Sequence, residues 1–420
     1  MAGRAFSIQC FAVAQNESAA MNPHLERLEP YPFQKLRDLF GDLSPNTEYS
    51  AINLSIGEPK HPTPAVIKET LAAALECLGE YPPTLGGLPL REACADWLVR
   101  RYGIARPDPA SQVLPVLGSR EALFSFAQAV IAPRADGQRP VVISPNPFYQ
   151  IYEGAALLAG AEPCYVNCTD ATGFVPDWDS IPAEVWARTQ LVFACSPGNP
   201  TGGVMGLDGW RKLFALSDRY GFVIASDECY SEIHAGQPPL GGLEAASRLG
   251  RTDFRRLVMF TSLSKRSNAP GLRSGFVAGD SAILRGFLLY RTYHGSAMSP
   301  AVQLASRAAW NDEAHVDDNR ARYAEKFTAV TPIISRVLDT RRPDAGFYLW
   351  AKVPGGSDTA FARELYARYH VTVLPGSFLA RHAHGINPGA GYVRIALVAP
   401  LDACVEAAWR IVDCVHTATN

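Results

Sequence analysis

Charge is scarce in this sequence. Of its 420 residues, 19 % are charged, and Lys plus Arg (39) nearly balance Asp plus Glu (41), for a formal net charge of -2. With no basic excess there is no electrostatic footprint for nucleic acid. There is also no run of like charge. No apolar run is long enough to cross a bilayer, which excludes a spanning helix. There is no internal repeat and no low-complexity linker, so neither a solenoid nor a tethered array is expected. The nine cysteines contain no C-x-x-C pair and no Cys/His cluster at metal spacing, so no metal site is expected. Cys195 and Cys229 sit inside apolar strand-like runs, where a reduced thiol packs as a small hydrophobe. The expectation is a cytoplasmic protein.

Apolar material, by contrast, is plentiful. At 47 % hydrophobic, the chain can bury a large core, and its length suggests two or three domains. The opening "MAGRAFSIQCFAVAQ" has a faint signal-peptide outline, diluted by Ser7, Gln9 and Cys10. Residues 1–20 are expected to form a disordered arm, or to precede the true start at Met21, where "MNPHLERLEPYPF" begins.

Short β-rich runs alternate with longer helical patterns. The clearest strands are 141–144, 191–195, 222–226, 257–260 and 276–278. They read as continuous apolar runs, the signature of strands buried on both faces. Helical segments such as 210–220 lie between them. This alternation predicts an α/β domain with a mostly parallel sheet and helices on both faces. After residue 300 the texture changes. A long amphipathic pattern covers about 301–338, read as a bridge, and then come "GFYLWAKV", "TAFARELYARYH", "VTVLPGSF" and "GYVRIALV". These predict a smaller α+β domain. The expected division is 1–20 arm, 21–56 segment joining the small domain, 57–300 large domain and 301–420 small domain.

The unusual residues cluster at strand ends. "PNPFYQIY" follows 141–144, "SPGNPTG" follows 191–195, "DECY" follows 222–226 and "TSLSKRS" follows 257–260. In open α/β sheets the carboxyl edge is where ligands bind, and four such coincidences point to one site. Each has a plainer reading alone. "SPGNPTG" suits a turn, Asp227 and Glu228 could cap a helix, and Lys265 could lie on the surface. "LGSREALFSF" could be an ordinary helix start, or a phosphate cradle built from free backbone N–H groups and the helix dipole. Taken together they make one chemistry. A dry lysine can form a Schiff base with a carbonyl cofactor. A buried carboxylate can keep a pyridinium nitrogen protonated. A helix N-terminus with an arginine can bind phosphate, and a second arginine can clamp a substrate carboxylate. That inventory describes pyridoxal phosphate and an amino acid.

The ordered motifs "NLSIGEP", "SPGNPTG", "SDECY", "SLSKRSNAPGLRSG" and "GYVRIAL" resemble those of fold-type I pyridoxal-phosphate-dependent aminotransferases of the aspartate aminotransferase superfamily, from about residue 22 to 415. The wording of "MNPHLERLEPYPFQKLRDLF" and "SKRSNAPGLRSGFVAGD" is most similar to bacterial N-succinyldiaminopimelate aminotransferases. The resemblance implies that Lys265 carries the cofactor and moves the proton at Cα. Asp227 pairs with the ring nitrogen, and Tyr230 and Asn199 bond its 3-oxygen. Ser119, with Gly118 and Arg120 beside it, joins Ser262, Ser264 and Arg273 around the phosphate. Tyr149 stacks on the ring, with Phe148 as the alternative. Arg394 clamps the substrate α-carboxylate, helped by Gly57 and Asn199. Tyr81 matches a tyrosine that reaches the phosphate of a neighbouring subunit, which implies a homodimer with shared sites. Arg291 is a candidate for a distal substrate carboxylate, or else a surface arginine at a helix end.

The function so implied is amino transfer between N-succinyl-LL-2,6-diaminopimelate and 2-oxoglutarate in lysine and peptidoglycan biosynthesis, with glutamate as the other partner. An aspartate, alanine or aromatic aminotransferase is the nearest alternative. A C–S lyase of the same fold and a non-enzymatic cofactor-binding regulator follow. Roughly twenty residues before Met21 are too few for a regulator's helix-turn-helix.

Overall fold

The computed structural model describes residues 21–419. The expectations for residues 1–20 lie outside the described residues. Twelve strands follow in chain order: Ile52–Asn53 (β1), Val113–Val116 (β2), Val141–Asn146 (β3), Glu162–Asn167 (β4), Thr189–Cys195 (β5), Val223–Asp227 (β6), Leu257–Ser262 (β7), Gly275–Gly279 (β8), Tyr348–Lys352 (β9), Val371–Thr372 (β10), Leu374–Pro375 (β11) and Tyr392–Ala396 (β12).

Seven of them form one sheet in the order β2-β8-β7-β6-β5-β3-β4. Strands β3 to β7 run parallel. β8 alone is reversed, pairing antiparallel with both β7 and β2. Hence β2 points the same way as the parallel strands. The mostly parallel α/β sheet read from the sequence is present.

Alternate residues of each central strand serve opposite faces, as a period of two requires. On β5, Val192 and Ala194 join the cluster that holds Trp97, Trp210 and Trp310. Leu191 and Phe193 join the opposite cluster, with Phe126, Phe148 and Phe287. Because helices cover both faces, these strands have no polar alternation to show.

A second sheet, β11-β12-β9, is antiparallel and shares a core with helices Asp358–Tyr369 and Leu401–Thr419. The early segment returns to this region. Leu36, on helix Pro32–Leu39, packs with Trp350, Leu374 and Leu379, and β1 pairs with β10.

The amphipathic stretch expected to be one bridging helix is two, Pro300–Asn311 and Ala314–Ile334. A buried arginine spans the break. Arg266, 1 % exposed, donates to the carbonyl of Ala309 at 2.8 Å and to Glu313 Oε1 at 2.8 Å. Its guanidinium joins a carbonyl of the first helix's last turn to the residue that begins the second. The first helix buries Ala305, Ala309 and Trp310 in the large sheet's core, whereas the second contributes Phe327 and Val330 to the small sheet's core.

Candidate active site

The strand directions fix where the chemistry can be. β3, β5, β6 and β7 end on one edge of the sheet, at Asn146, Cys195, Asp227 and Ser262. β2 ends there too and delivers Gly118 and Ser119. β8 begins there, just after Arg273. At this edge lies a cavity of about 720 Å3.

Lys265, directly after β7, is half-buried and lines the cavity. Its Nζ donates to the carbonyl of Gly57 and has no carboxylate partner among the described residues. Burial pushes its pKa down from 10.5 to about 8, and Arg394 and Arg273 push the same way. The amine is therefore unusually ready to be neutral and nucleophilic.

Asp227 ends β6 and is 6 % exposed. Its Oδ2 accepts from the hydroxyl of Tyr152 at 2.7 Å and its Oδ1 from the N–H of Cys229 at 3.2 Å. Burial raises its pKa, and these two bonds oppose the rise. A cation placed against it would hold it ionised. Glu228 turns the other way. Its Oε1 accepts from the N–H of Gly242 at 2.8 Å, at the start of helix Gly242–Arg248, and from Ser226 Oγ at 2.7 Å. The two residues of the "DE" pair thus part: Glu228 secures a helix N-terminus, while Asp227 lines the cavity.

Arg394 projects from β12 and is 4 % exposed. Its Nη1 donates to Asn199 Oδ1 at 3.0 Å and its Nη2 to the carbonyl of Ser55 at 2.7 Å. Its guanidinium lies 4.4 Å from the ring centroid of Tyr348, and its Nε has no partner. A bond from Ala396 N–H to the carbonyl of Leu54 draws Ser55–Gly57 alongside. A Cβ at Gly57 would fall 1.8 Å from the Tyr348 hydroxyl, so any larger residue there would displace that ring.

Ser119, Ser262, Ser264 and Arg273 line another part of the same cavity. Helix Ser119–Val130 has no side-chain cap, which leaves its first N–H groups available to an anion. The Arg273 guanidinium donates to the carbonyls of Leu117 and Pro270. Gly118 (φ 85°) makes that approach possible, because a Cβ would lie 2.5 Å from Arg273 Nη2.

Tyr149, Asn199 and Tyr230 also line the cavity. The Tyr230 hydroxyl lies 2.9 Å from that of Tyr348, and burial raises its pKa. Arg120 lines it as well, with its guanidinium 5.3 Å from the ring centroid of Tyr31. Phe148, the alternative to Tyr149, is 1 % exposed and belongs to the core. Tyr81 does not line the cavity and is wholly exposed on this chain.

Arg291 is a correction. It is neither a surface residue nor part of the site. At 0 % exposure, its Nη1 donates to Glu121 Oε1 at 2.7 Å and Oε2 at 3.0 Å, and its Nη2 to the carbonyl of Ser296. Helix Ser281–His294 turns it inward, where Glu121 neutralises it.

Several lining residues carried no role in the sequence reading: Tyr31, Gln34 and Arg37 from the early segment, and Tyr348 from β9. Tyr152 was also passed over; it lies on helix Ile151–Leu158, with its ring 5.9 Å from that of Tyr149.

The donor set suits pyridoxal phosphate on the chain's own evidence. There is a low-pKa amine without an acid partner, a buried carboxylate, an uncapped helix start beside an arginine, and a buried arginine with an orphaned Nε. Residues 49–407 match the family described as aminotransferase class I and II. The chain is similar to a solved aminotransferase from Neisseria meningitidis, at 58 % identity and a TM-score of 0.91, covering 94 % of this chain and 100 % of that one. It is 33 % identical over 393 residues to the LL-diaminopimelate aminotransferase of Aquifex aeolicus, covering 92 % of this chain and 97 % of that protein. A solved probable N-succinyldiaminopimelate aminotransferase from Thermus thermophilus matches at 26 % identity and a TM-score of 0.78, covering 91 % of this chain and 98 % of that one.

Proposed function

This chain belongs to the aminotransferase class I and II family and is a pyridoxal-phosphate-dependent aminotransferase; from that premise we propose that it moves an amino group between N-succinyl-LL-2,6-diaminopimelate and 2-oxoglutarate, in lysine and peptidoglycan biosynthesis. When bound, pyridoxal phosphate supplies the electron sink that lets an amino acid's Cα–H bond break. The residues then divide the work. Ser119, Ser262, Ser264 and Arg273, with the backbone at Gly118 and Arg120, would hold the phosphate. Asn199 and Tyr230 would bond the 3-oxygen, Tyr149 would lie against the ring, and Asp227 would keep the ring nitrogen protonated. Lys265, whose lowered pKa brings its neutral form within reach, would take the proton from the substrate Cα and return it on the cofactor side. Gly57 and Asn199 frame the place where Arg394 would fork onto the α-carboxylate.

The observation that carries this reading is Arg394: a buried guanidinium held by neutral acceptors on the wall of the cavity that holds Lys265. Both amino donors carry an α-carboxylate, so one arginine serves both half-reactions. The names of the Aquifex and Thermus relatives support a diaminopimelate-type substrate, and the first favours unsuccinylated LL-diaminopimelate as a second reading. Kinetics on succinylated and free diaminopimelate, with aspartate, alanine and phenylalanine as controls, separate them. A kcat/KM advantage for the succinylated substrate supports the first reading. No advantage removes it, and a faster aspartate or aromatic substrate removes both. The enzyme would work as a homodimer, with Tyr81, exposed on the single chain, completing its neighbour's phosphate site.

A further inference from the structure

The cavity holds more positive charge than the chemistry at its floor uses. Arg37, Arg120, Lys265, Arg273 and Arg394 line it, against one carboxylate, Asp227. The chain as a whole is slightly acidic, so this excess is local. Lys265, Arg273 and Arg394 already have work to do. Arg37 and Arg120 remain, both exposed. Among the described residues neither has an acidic partner. Arg37 donates to Gln34 Oε1, and Arg120 rests over the Tyr31 ring.

The two arginines come from separate parts of the chain. Arg37 is on helix Pro32–Leu39, which Leu36 anchors against Trp350 and Leu374. Arg120 opens helix Ser119–Val130, one residue after Ser119. Tyr31, just before the first helix, spans the gap by carrying the Arg120 guanidinium on its ring. Two unpaired guanidiniums on the wall of one cavity form a receptor for an anion, and a carboxylate is the planar acceptor their forks match.

We propose that Arg37 and Arg120, steadied by Gln34 and Tyr31, bind the distal carboxylate of a long dicarboxylic substrate whose α-carboxylate is held by Arg394. This rests on the aminotransferase reading and extends it. The site selects substrates with two widely separated carboxylates, and the early segment that carries Tyr31–Arg37 supplies that selectivity. It gives the distal charge the partner that Arg291, neutralised by Glu121, does not provide. Because both side chains are exposed, each contributes modestly and under salt screening, so the readout is the ratio between two ligands of the same enzyme.

The test compares heptanedioate with heptanoate as competitive ligands of the loaded enzyme, by calorimetry and by inhibition constants. The wild-type protein should prefer the dianion, with the preference shrinking as salt rises. In Arg37→Gln/Arg120→Gln the ratio of the two affinities should fall by about tenfold or more, and the ratio of kcat/KM for long dicarboxylic over monocarboxylic amino acids should fall with it. The Arg37→Lys/Arg120→Lys protein should keep part of the preference, as it retains charge but not the fork. A double Gln variant that keeps the wild-type dianion preference, or that weakens both ligands equally, overturns the proposal. The succinyl reading fails separately: if succinylation brings no advantage in the wild type while heptanedioate is still preferred through these arginines, the receptor stands and the named substrate falls.

Discussion

Arg394 and Arg291 are both sealed from solvent, at 4 % and 0 % exposure, and both looked like carboxylate binders in the sequence. Their surroundings separate them. Arg291 has both oxygens of Glu121, so its charge is spent inside the fold. Arg394 has an amide oxygen and a backbone carbonyl, which orient a guanidinium without neutralising it. Removing a charge from water is costly unless something repays it. A buried arginine held by neutral acceptors on a cavity wall is therefore poised for an anion that arrives from outside. The cavity is essential to that inference. Lys326, 3 % exposed with the carbonyl of Val398 as its acceptor, is also held neutrally, but does not line the cavity that holds Lys265 and Arg394.

Lys265 belongs with Arg394 in this comparison, and its loss should have the largest effect. Lys265→Ala should lower turnover by about 10^4-fold or more, because the covalent anchor and the proton carrier vanish together. Thermal stability should be nearly unchanged, since the side chain donates to one carbonyl, that of Gly57. Near-normal transamination by this variant would end the assignment.

The paired arginine variants test the contrast itself. Arg394→Gln should cost about 10^2- to 10^3-fold in kcat/KM for every amino acid, with little change in Tm. Arg291→Gln should do the reverse. It leaves Glu121, which retains 24 % exposure, without its partner, so destabilisation of about 1–3 kcal/mol is expected, with kcat/KM within about threefold of wild type. Similar kinetic losses in both would erase the distinction between a spent and an available charge.

Carboxylates allow the same comparison on a smaller scale. Glu228 accepts from three donors and closes a helix end, whereas Asp227, on the cavity wall, is held by the Tyr152 hydroxyl and by Cys229. Tyr152→Phe should lower kcat by about tenfold, with cofactor affinity nearly intact, because a bond to a charged group is lost where ring charge develops. Equal loss in cofactor binding and kcat would make Tyr152 a packing residue.

The smallest effect is on pH. With the Lys265 pKa lowered to about 8, the rate at which apo-protein takes up pyridoxal phosphate, followed by visible absorbance, should rise about tenfold per pH unit below 8 and flatten above it. An amine at the ordinary 10.5 would keep rising. The linkage has a matching sign. Between about 8 and 10.5 the unfolded chain holds a proton that the folded chain releases, so this group adds stability as pH rises through that window.

The central strands could be read along the chain because burial on both faces leaves an unbroken apolar run, and the five read from sequence are β3, β5, β6, β7 and β8. The two that escaped notice, β2 and β4, are the sheet's edges. β4 is mostly half-exposed and lacks the pattern that double burial imposes; β2 is buried throughout, but it is only four residues long and is interrupted by Pro115, which an edge tolerates. The split of the 301–338 stretch was hidden for a related reason. Arg266, which spans the break, lies more than thirty residues upstream, and no periodicity records that contact.

By itself, then, the sequence determined the strand-end chemistry, because Lys265, Asp227, Asn199 and Arg273 each lie within a few residues of the strand that positions them. The tertiary structure decided which charges are available. Arg291 and Arg394 are the same residue type in similarly apolar surroundings, and only the approach of Glu121 to one and of Ser55 and Asn199 to the other makes the first a strut and the second a receptor. It also brought Tyr31, Gln34 and Arg37 to the cavity wall. Such pairings join residues far apart in the chain, and a charge's partner in space leaves no mark on its neighbours in sequence.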